Sequence, residues 1–436
     1  MEKNHRDHIV KETNLNSYFT RFTLGIEGIV KDKKKATVFV IYILLICSLW
    51  LKREMIFKFY YNPYLSNMSQ IYSELLLPLA ITLSLIGVIL LLGTPLGSGR
   101  ISRNLMRIGL VNHAGEAPKL IRETLDKNSK VSVMEFETNG IPKTKWVDKS
   151  LDIEASLNIH IVKCEEGINK RRILLYVVSA DKQLPVLLHW KDEYLSKKNF
   201  ELIIGESLLK RETVNLAYIP HILLGGSTGS GKSVLLKLLL LQCIKKGAEV
   251  HIADFKGGVD FSIKWDHYCK LIIDENTLSE TLKMLVEELE RRKLVLRAEG
   301  STNIDEYNAR NGGSLKRIIF ACDEIAEILD KTGRNKLGKD NIAFYENRLA
   351  TIARQGRAFG IHLIIATQRP DANILTGQIR NNIDFRVCGR ADHVLSQIIL
   401  DNTDASDAID KDAQGRFITG NGTVFQGYIF DEDTLL

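Results

Sequence analysis

The sequence lacks the features that mark several special protein classes. It has only eight prolines in 436 residues and no low-complexity tract, which excludes collagen-like and proline-rich architectures. Its six cysteines form no C-x-x-C pair and no cluster with histidine at zinc-ligand spacing. A disulfide framework would be unusual in so long a chain, so we expect free thiols in a reducing compartment. Neither charge dominates, since 59 basic side chains face 53 acidic ones, and the net charge of +6 allows a polyanionic partner without requiring one.

The composition that is present, 45% apolar and 26% charged, is typical of a globular protein. The length predicts about three domains, but the average composition conceals regions of very different character. The predicted organisation is a basic cytosolic tail over residues 1–35, two transmembrane helices with a short external loop over 36–92, a small membrane-proximal α+β domain over 93–203, and an α/β domain over 204–436.

Two uncharged apolar segments lie near the start of the chain. Ala36–Leu51 has 16 residues and Leu75–Leu92 has 18, slightly short of the roughly 20 that span a bilayer as a helix. A signal-peptide core and a buried hairpin are the alternatives, and a charged preface without a small-residue cleavage site disfavours the first. Eight Lys or Arg residues precede the first segment, three lie in the loop, and Arg100, Arg103 and Arg107 follow the second. The positive-inside rule therefore predicts a two-span protein of the cell membrane with both termini in the cytoplasm.

Residues 93–203 carry no chemical motif. We expect a short amphipathic helix over Arg103–Leu110 and strands over Val131–Glu137, Asn158–Lys163 and Ile173–Ser179. An adaptor or assembly domain is the interpretation that this pattern favours.

From about residue 200 the pattern changes to alternating strands and helices, which is typical of a parallel α/β sheet. A leucine-rich helix is predicted over Ser233–Lys245, and leucines spaced 4-3-4 from Leu278 to Leu289 predict one face of a long helix. The predicted strands are His221–Leu224, Glu249–Ala253, Ile318–Ala321 and Leu363–Ala366.

A phosphate-binding loop follows the first of these strands. Residues 226–233 fit G-x-x-x-x-G-K-S between a strand and a helix, the context in which this motif cradles nucleotide phosphates with backbone N–H groups. We expect Lys232 to reach the β- and γ-phosphates of ATP and Ser233 to ligate Mg²⁺. The predicted ATP-binding residues are Gly226, Ser227, Thr228, Gly229, Ser230, Gly231, Lys232 and Ser233.

Polar side chains at other strand ends complete the predicted site. An apolar run ends in Asp323 and Glu324 about ninety residues after the loop, which predicts Asp323 as a Mg²⁺ ligand and Glu324 as the group that deprotonates the attacking water. Gln368, at another strand end, is positioned to sense the γ-phosphate or orient water. Asp254 and Lys256 follow a further strand and either border the nucleotide crevice or are merely solvated.

Several segments together resemble the motor of the FtsK/SpoIIIE DNA translocases over about residues 200–425. They are PHILLGGSTGSGKS, ELERRKLVLRAEGSTNIDEYN, IIFACDE and ARQGRAFGIHLIIATQRPDANILTGQIRNNIDFRV. The resemblance implies a RecA-like ATPase that assembles with itself into a ring, usually a hexamer, and pumps DNA through a central channel. It also implies that Arg386 is a trans-acting arginine finger, with Arg390 as the alternative.

The chain departs from the large chromosome-segregating members of that family. It has two apolar segments and a short adaptor, and we expect no C-terminal winged helix of about 60 residues after the motor. This shorter plan is similar to the TcpA-like coupling proteins of Gram-positive conjugative elements, which implies a relaxase and transfer-channel proteins as partners. Three other functions remain open: a chromosome-partition translocase, a protein-secretion ATPase, and a membrane scaffold with a degenerate motor.

The DNA contact is weakly marked in the sequence. A basic loop after the acidic strand end suits contact with a phosphate backbone, although a solvated loop is the alternative. Because no base-reading motif is visible, we expect binding to single- or double-stranded DNA without sequence specificity. The loop residues are Lys331, Arg334, Lys336 and Lys339.

Overall fold

The computed structural model describes residues 18–19, 21–53, 75–95, 97–126, 131–312, 315–368, 371 and 374–432. The chain divides into two compact units, Met1–Asp181 and Lys182–Leu436. All six cysteines are free.

Three helices begin the first unit: α1 (residues 21–31), α2 (Lys33–Leu51) and α3 (Leu77–Leu92). Among the described residues, α2 alone is long and apolar enough to cross a membrane, because α3 has only 16 residues. The second span therefore remains a prediction. Most of the predicted tail and external loop lies outside the described residues.

The apolar helices are joined by close backbone contact and by polar side chains. A Cβ atom on Gly25 of α1 would lie 2.1 Å from the carbonyl oxygen of Ile89, so only glycine allows this approach of α1 to α3. Lys35 Nζ donates to the carbonyl oxygen of Leu92 at 2.7 Å, and Tyr42 donates to Ser84 at 2.6 Å. The two hydrogen bonds join α2 to α3, and the glycine contact joins α1 to α3.

The rest of the first unit is an α+β domain, as predicted. Its antiparallel sheet has the order β1-β2-β4-β3, and its core holds the buried rings of Phe136 and Trp146 with their centroids 5.2 Å apart. The three predicted strands are confirmed to within three residues at each end, whereas the helix predicted over Arg103–Leu110 runs over Ser98–Arg107 instead. The elements are α4 (Ser98–Arg107), β1 (Lys119–Asp126), β2 (Val131–Glu137), α5 (Lys143–Asp148), α6 (Ser150–Leu157), β3 (Ile159–Glu166) and β4 (Arg172–Ser179).

The second unit is built on a ten-stranded sheet of order β6-β5-β14-β13-β12-β7-β11-β10-β8-β9. The six strands from β12 to β9 are parallel, and the other four form an antiparallel wing. The strands are β5 (Glu201–Ser207), β6 (Arg211–Asn215), β7 (Ile222–Gly225), β8 (Glu249–Ala253), β9 (Lys270–Ile272), β10 (Ile318–Cys322), β11 (Ile361–Thr367), β12 (Phe385–Cys388), β13 (Arg416–Thr419) and β14 (Val424–Gly427).

Helices cover both faces of the parallel strands, which is why the central strands β7 and β10 are apolar throughout. Along β10, Phe320 faces the core formed with the long helices, whereas Ile319 and Ala321 face the core formed with the leucine-rich helix. The helices are α7 (Lys232–Lys245), α8 (Glu275–Ala298), α9 (Ile304–Asn311), α10 (Ile325–Leu329), α11 (Lys336–Phe359), α12 (Gly377–Arg380), α13 (His393–Leu400) and α14 (Asp404–Ala408).

Helix α7 is apolar nearly all round because it is covered on both sides. Leu236 and Leu240 pack on the sheet, while Leu238 and Leu241 pack under Trp190 and Tyr428. The buried amide of Gln242 also exchanges two 2.8 Å hydrogen bonds with the backbone of Ile203 in β5. The helix that follows the phosphate loop is therefore rigidly held.

The wing brings the two ends of the second unit together. Trp190 N donates to Ile429 O at 2.7 Å, and Ile429 N donates to Leu188 O at 2.8 Å. Strand β5 pairs with β14 beside them. The expected boundary between residues 203 and 204 falls inside β5, because this strand, with four consecutive buried residues, pairs with β14 more than 200 residues away.

Candidate nucleotide-binding site

The phosphate-binding loop lies where the sequence predicts it, between β7 and α7. Gly226, Gly229 and Gly231 have φ of 154°, 76° and 93°, conformations that glycine adopts readily. A Cβ atom on Gly226 would also lie 2.5 Å from Ser230 Oγ. No described side chain caps the start of α7, so its first N–H groups remain available to an anion.

Asp323 is the buried carboxylate that the positive side chains of the site contact. It follows β10, is 1% exposed, and accepts from Lys232 Nζ at 3.1 Å and from Ser233 Oγ at 2.9 Å. Lys256 Nζ donates to its other oxygen at 3.2 Å. Burial alone raises the pKa of Asp323, but the two ammonium groups and the Ser233 hydroxyl outweigh burial and hold the pKa below its ordinary value. The carboxylate is therefore charged and shared among three donors.

Glu324 lies next to Asp323 but has different partners. Its Oε1 accepts from Thr367 Oγ1 at 2.8 Å and from Ala326 N at 3.2 Å, while its Oε2 accepts from Gln368 N at 2.9 Å. The end of β11 and the start of α10 thus fix the carboxylate from two sides. Thr367, which the sequence marked only as a strand end, is a residue that holds Glu324.

Gln368 is brought directly over the phosphate-binding loop. Its Oε1 accepts from Thr228 Oγ1 at 3.0 Å, while its backbone holds Glu324. The amide therefore links the loop to the acidic strand end. This position beside the phosphate-binding loop is compatible with the predicted role of Gln368 in sensing the γ-phosphate or orienting water. That role stays a prediction.

The two candidate arginines have different environments. Arg390 contacts the loop of its own chain, since Nη2 donates to Thr228 O at 2.7 Å and its carbonyl oxygen accepts from Ser227 N at 2.8 Å. Arg386, on β12, forms an ion pair with Asp401 and donates to the carbonyl oxygen of Arg380. A finger role in a neighbouring subunit requires Arg386 to leave these partners, and that role stays a prediction.

Lys256 and Asp254 lie at the site rather than in a merely solvated loop. Asp254 is buried and accepts from the backbone N of Lys256 at 3.0 Å, which turns the chain directly after β8. Burial alone lowers the pKa of Lys256, but Asp260 and Asp323 outweigh this effect and raise it above its ordinary value. The ammonium is thus charged and directed at Asp323.

The predicted basic loop divides into two parts. Lys331 forms an ion pair with Glu346 at 2.7 Å, and Arg334 forms one with Glu275 at 3.0 Å. Lys336 and Lys339 lie exposed in the first turn of α11. Positive side chains in the first turn of a helix are repelled by the positive end of the helix dipole. A polyanion bound nearby would offset this repulsion.

Comparison with known proteins decides the family. The FtsK/SpoIIIE family profile matches residues 189–372. The solved structure of the pCW3 conjugation coupling protein TcpA, in monomer form with ATPγS, has 36% sequence identity and a TM-score of 0.58, over 77% of this chain and 96% of that one. The chain belongs to the FtsK/SpoIIIE family.

Curated relatives in the family are longer. The DNA translocase FtsK of Staphylococcus epidermidis is 30% identical over 269 residues, 57% of this chain and 32% of that protein. The DNA translocase SftA of Bacillus subtilis is 28% identical over 305 residues, 64% of this chain and 31% of that protein. The chain spans about a third of the length of these relatives.

The residues of the FtsK/SpoIIIE site fit a nucleotide and Mg²⁺. Ser230 Oγ is buried in the loop without a hydrogen-bond partner among the described residues. The Ser233 hydroxyl and the Asp323 carboxylate offer adjacent oxygen ligands of the kind that Mg²⁺ prefers. Within the described part of the chain, no group of three or more His, Cys, Asp or Glu residues could hold a metal, so an ion here depends on phosphate and water for its other ligands.

A cavity of about 770 Å³ extends the site beyond the phosphate-binding loop. Gly229, Gly231 and Val234 line one side of it, and residues 410–417 with Gln426–Ile429 line the other. Its position beside the loop suits the nucleoside part of a nucleotide. The sequence did not mark residues 410–417, because they lie about 180 residues after the loop and meet it only in the folded chain, where Gly415 N donates to Ser230 O at 2.9 Å.

Proposed function

We propose that the protein is a membrane-anchored, ATP-driven DNA translocase that acts as the coupling protein of a conjugative transfer system. The observation that carries this proposal is the likeness to the pCW3 coupling protein TcpA, which extends over nearly all of that solved chain at 36% identity. Helix α2 supports the membrane anchor, and we propose a ring of identical subunits in which Arg386 completes the neighbour's site. A relaxase and transfer-channel proteins are the proposed partners.

In the proposed reaction the chain's own residues have separate tasks. Bound Mg²⁺ supplies charge neutralisation for the phosphates. Lys232 and the N–H groups of the loop hold the phosphates, Ser233 and Asp323 hold the ion, and Gln368 orients water. Glu324 accepts the proton of that water at the acceptor position that its three hydrogen bonds leave open.

The Lys232→Ala variant tests the proposal. In the full-length protein it should abolish nucleotide binding and DNA-stimulated ATP hydrolysis, because the ammonium that reaches the phosphates is lost. In a donor strain that lacks the native gene, plasmid transfer should fall to the level of the deletion. Lys283→Ala, an exposed lysine of α8, serves as the matched control and should transfer normally. Normal transfer by the Lys232→Ala variant would favour a scaffold role instead.

A chromosome-partition translocase is the second candidate, because the curated relatives at about 30% identity are named FtsK. The two functions differ in cellular location and phenotype. A partition protein should concentrate at division septa, and its loss should leave chromosomes trapped there. A coupling protein should leave segregation unchanged and affect plasmid transfer alone.

A further inference from the structure

The loop that follows β8 carries a lysine that contacts the predicted Mg²⁺ ligand. Lys256 Nζ lies 3.2 Å from one oxygen of Asp323 and 2.8 Å from Asp260. The other oxygen of Asp323 is held by Lys232. The single negative charge of this buried carboxylate thus faces two positive ammonium groups. The phosphate-binding motif accounts for Lys232 but not for Lys256.

The two ends of this loop are held in different ways. At its far end, Trp265 is fully buried, and its Nε1 donates to Glu432 at 2.8 Å. Glu432 also accepts from Lys237 of α7 at 2.6 Å. This end is therefore fixed by apolar burial and by two polar contacts.

The near end of the loop, residues 256–260, lacks such burial. Gly257 and Gly258 have φ of 82° and 75°, and a Cβ on Gly257 would meet no atom within 4 Å. Val259 is 83% exposed. Asp254 accepts hydrogen bonds from the backbone N of Lys256 at 3.0 Å and of Asp260 at 3.3 Å. The contact of Lys256 Nζ with Asp323 is the side-chain link that joins this exposed segment to the predicted Mg²⁺ ligand.

We propose that Lys256 is a positioning residue that acts as a latch, holding Asp323 while the Mg²⁺ position is empty and releasing it when that position is filled. The inference rests on the nucleotide-binding half of the proposed function. An ammonium and a divalent cation repel each other, so a Mg²⁺ ion bound to Asp323 weakens the hold of Lys256 on the same carboxylate. Lys256 then keeps its contact with Asp260, and the segment 256–260 changes its position with the nucleotide state.

The first test measures how much Mg²⁺ the full-length protein needs to bind a fluorescent ADP analogue. In the Lys256→Met variant the half-saturating Mg²⁺ concentration should fall about tenfold, because a competing cation near Asp323 is gone. Lys256→Arg keeps the charge and should restore the wild-type value. Lys270→Met makes the same change at an exposed lysine of β9 and should have no effect. An unchanged or higher Mg²⁺ requirement in Lys256→Met would overturn the latch.

The second test follows amide hydrogen exchange in segment 256–260. Exchange in the wild type should rise when ADP is added with Mg²⁺ and should stay low with ADP and EDTA. In Lys256→Met it should be high under both conditions. Slower or unchanged exchange with Mg²⁺ and ADP in the wild type would refute the release. Neither measurement uses DNA, so a protein that releases the segment but moves no DNA would contradict the proposed function alone.

Discussion

Replacing Glu324 with Gln removes the negative charge of the proposed general base and keeps its shape. A carboxylate offers about four acceptor positions, and Thr367, Ala326 and Gln368 occupy three of them. One position therefore remains for water, and an amide there has no comparable basicity. Loss of a positioned base costs about 10²- to 10⁴-fold in rate, which is about 3–5 kcal/mol of transition-state stabilisation.

The same substitution should affect stability only slightly. In the Glu324→Gln variant, the amide oxygen can take the position of Oε2 and still accept from Gln368 N. The amide NH₂ group then takes the position of Oε1 and can donate to Thr367 Oγ1, because the threonine hydroxyl can rotate and accept. The long 3.2 Å hydrogen bond from Ala326 N is then the one that breaks. We expect a cost of about 1 kcal/mol, equivalent to about 2–4 °C in Tm for a unit of this size.

The assay compares ATP hydrolysis, binding of a fluorescent nucleotide and thermal unfolding in the full-length protein. Thr367→Val is the matched control, because it removes the hydrogen bond from Thr367 to Glu324 and leaves the carboxylate, so its hydrolysis should fall by no more than about tenfold. Retention of more than a tenth of wild-type hydrolysis by Glu324→Gln, with normal binding, would refute Glu324 as the base.

Two further predictions concern stability. Leu240→Ala should destabilise the protein by about 2–5 kcal/mol, because the side chain is fully buried in the core between α7 and the sheet; thermal unfolding that matched the wild type would contradict this packing. Burial lowers the pKa of His221 to about 4, so the imidazole is neutral in the folded protein at a pH where it is already protonated in the unfolded chain. The free energy of unfolding should therefore fall by about 3 kcal/mol as the pH falls from about 6.5 to 4. Thermal unfolding of His221→Asn across that range should show a smaller loss, and an equal loss would exclude His221 as the cause.

The parallel half of the sheet and the phosphate site were predictable because their signals are local. Short, mostly apolar runs predicted β7, β8, β10 and β11, and the structure confirms each of them. The spacing of one motif located Lys232, and the acidic pair at a strand end located Asp323, which the structure places together.

The antiparallel wing was not predictable in the same way. Its strands are short, and β6 alternates exposed and buried residues without a long apolar run. The pairing of β5 with β14, which holds the wing together, joins segments more than 200 residues apart, and no local pattern encodes it. For the same reason, the sequence left the contact of Lys256 with Asp323 open and gave no sign that Arg390 holds Thr228.

The meeting of Leu188–Trp190 with Ile429 makes the second unit a candidate for circular permutation. The backbone bonds between these segments place the two ends side by side, so a short linker would join them without crossing the sheet. New termini in the exposed turn at Asn421–Gly422 would separate β13 from β14 only at their connection. Such a protein would keep every strand pairing of the ATPase sheet, but the ribosome would make β14 first instead of last.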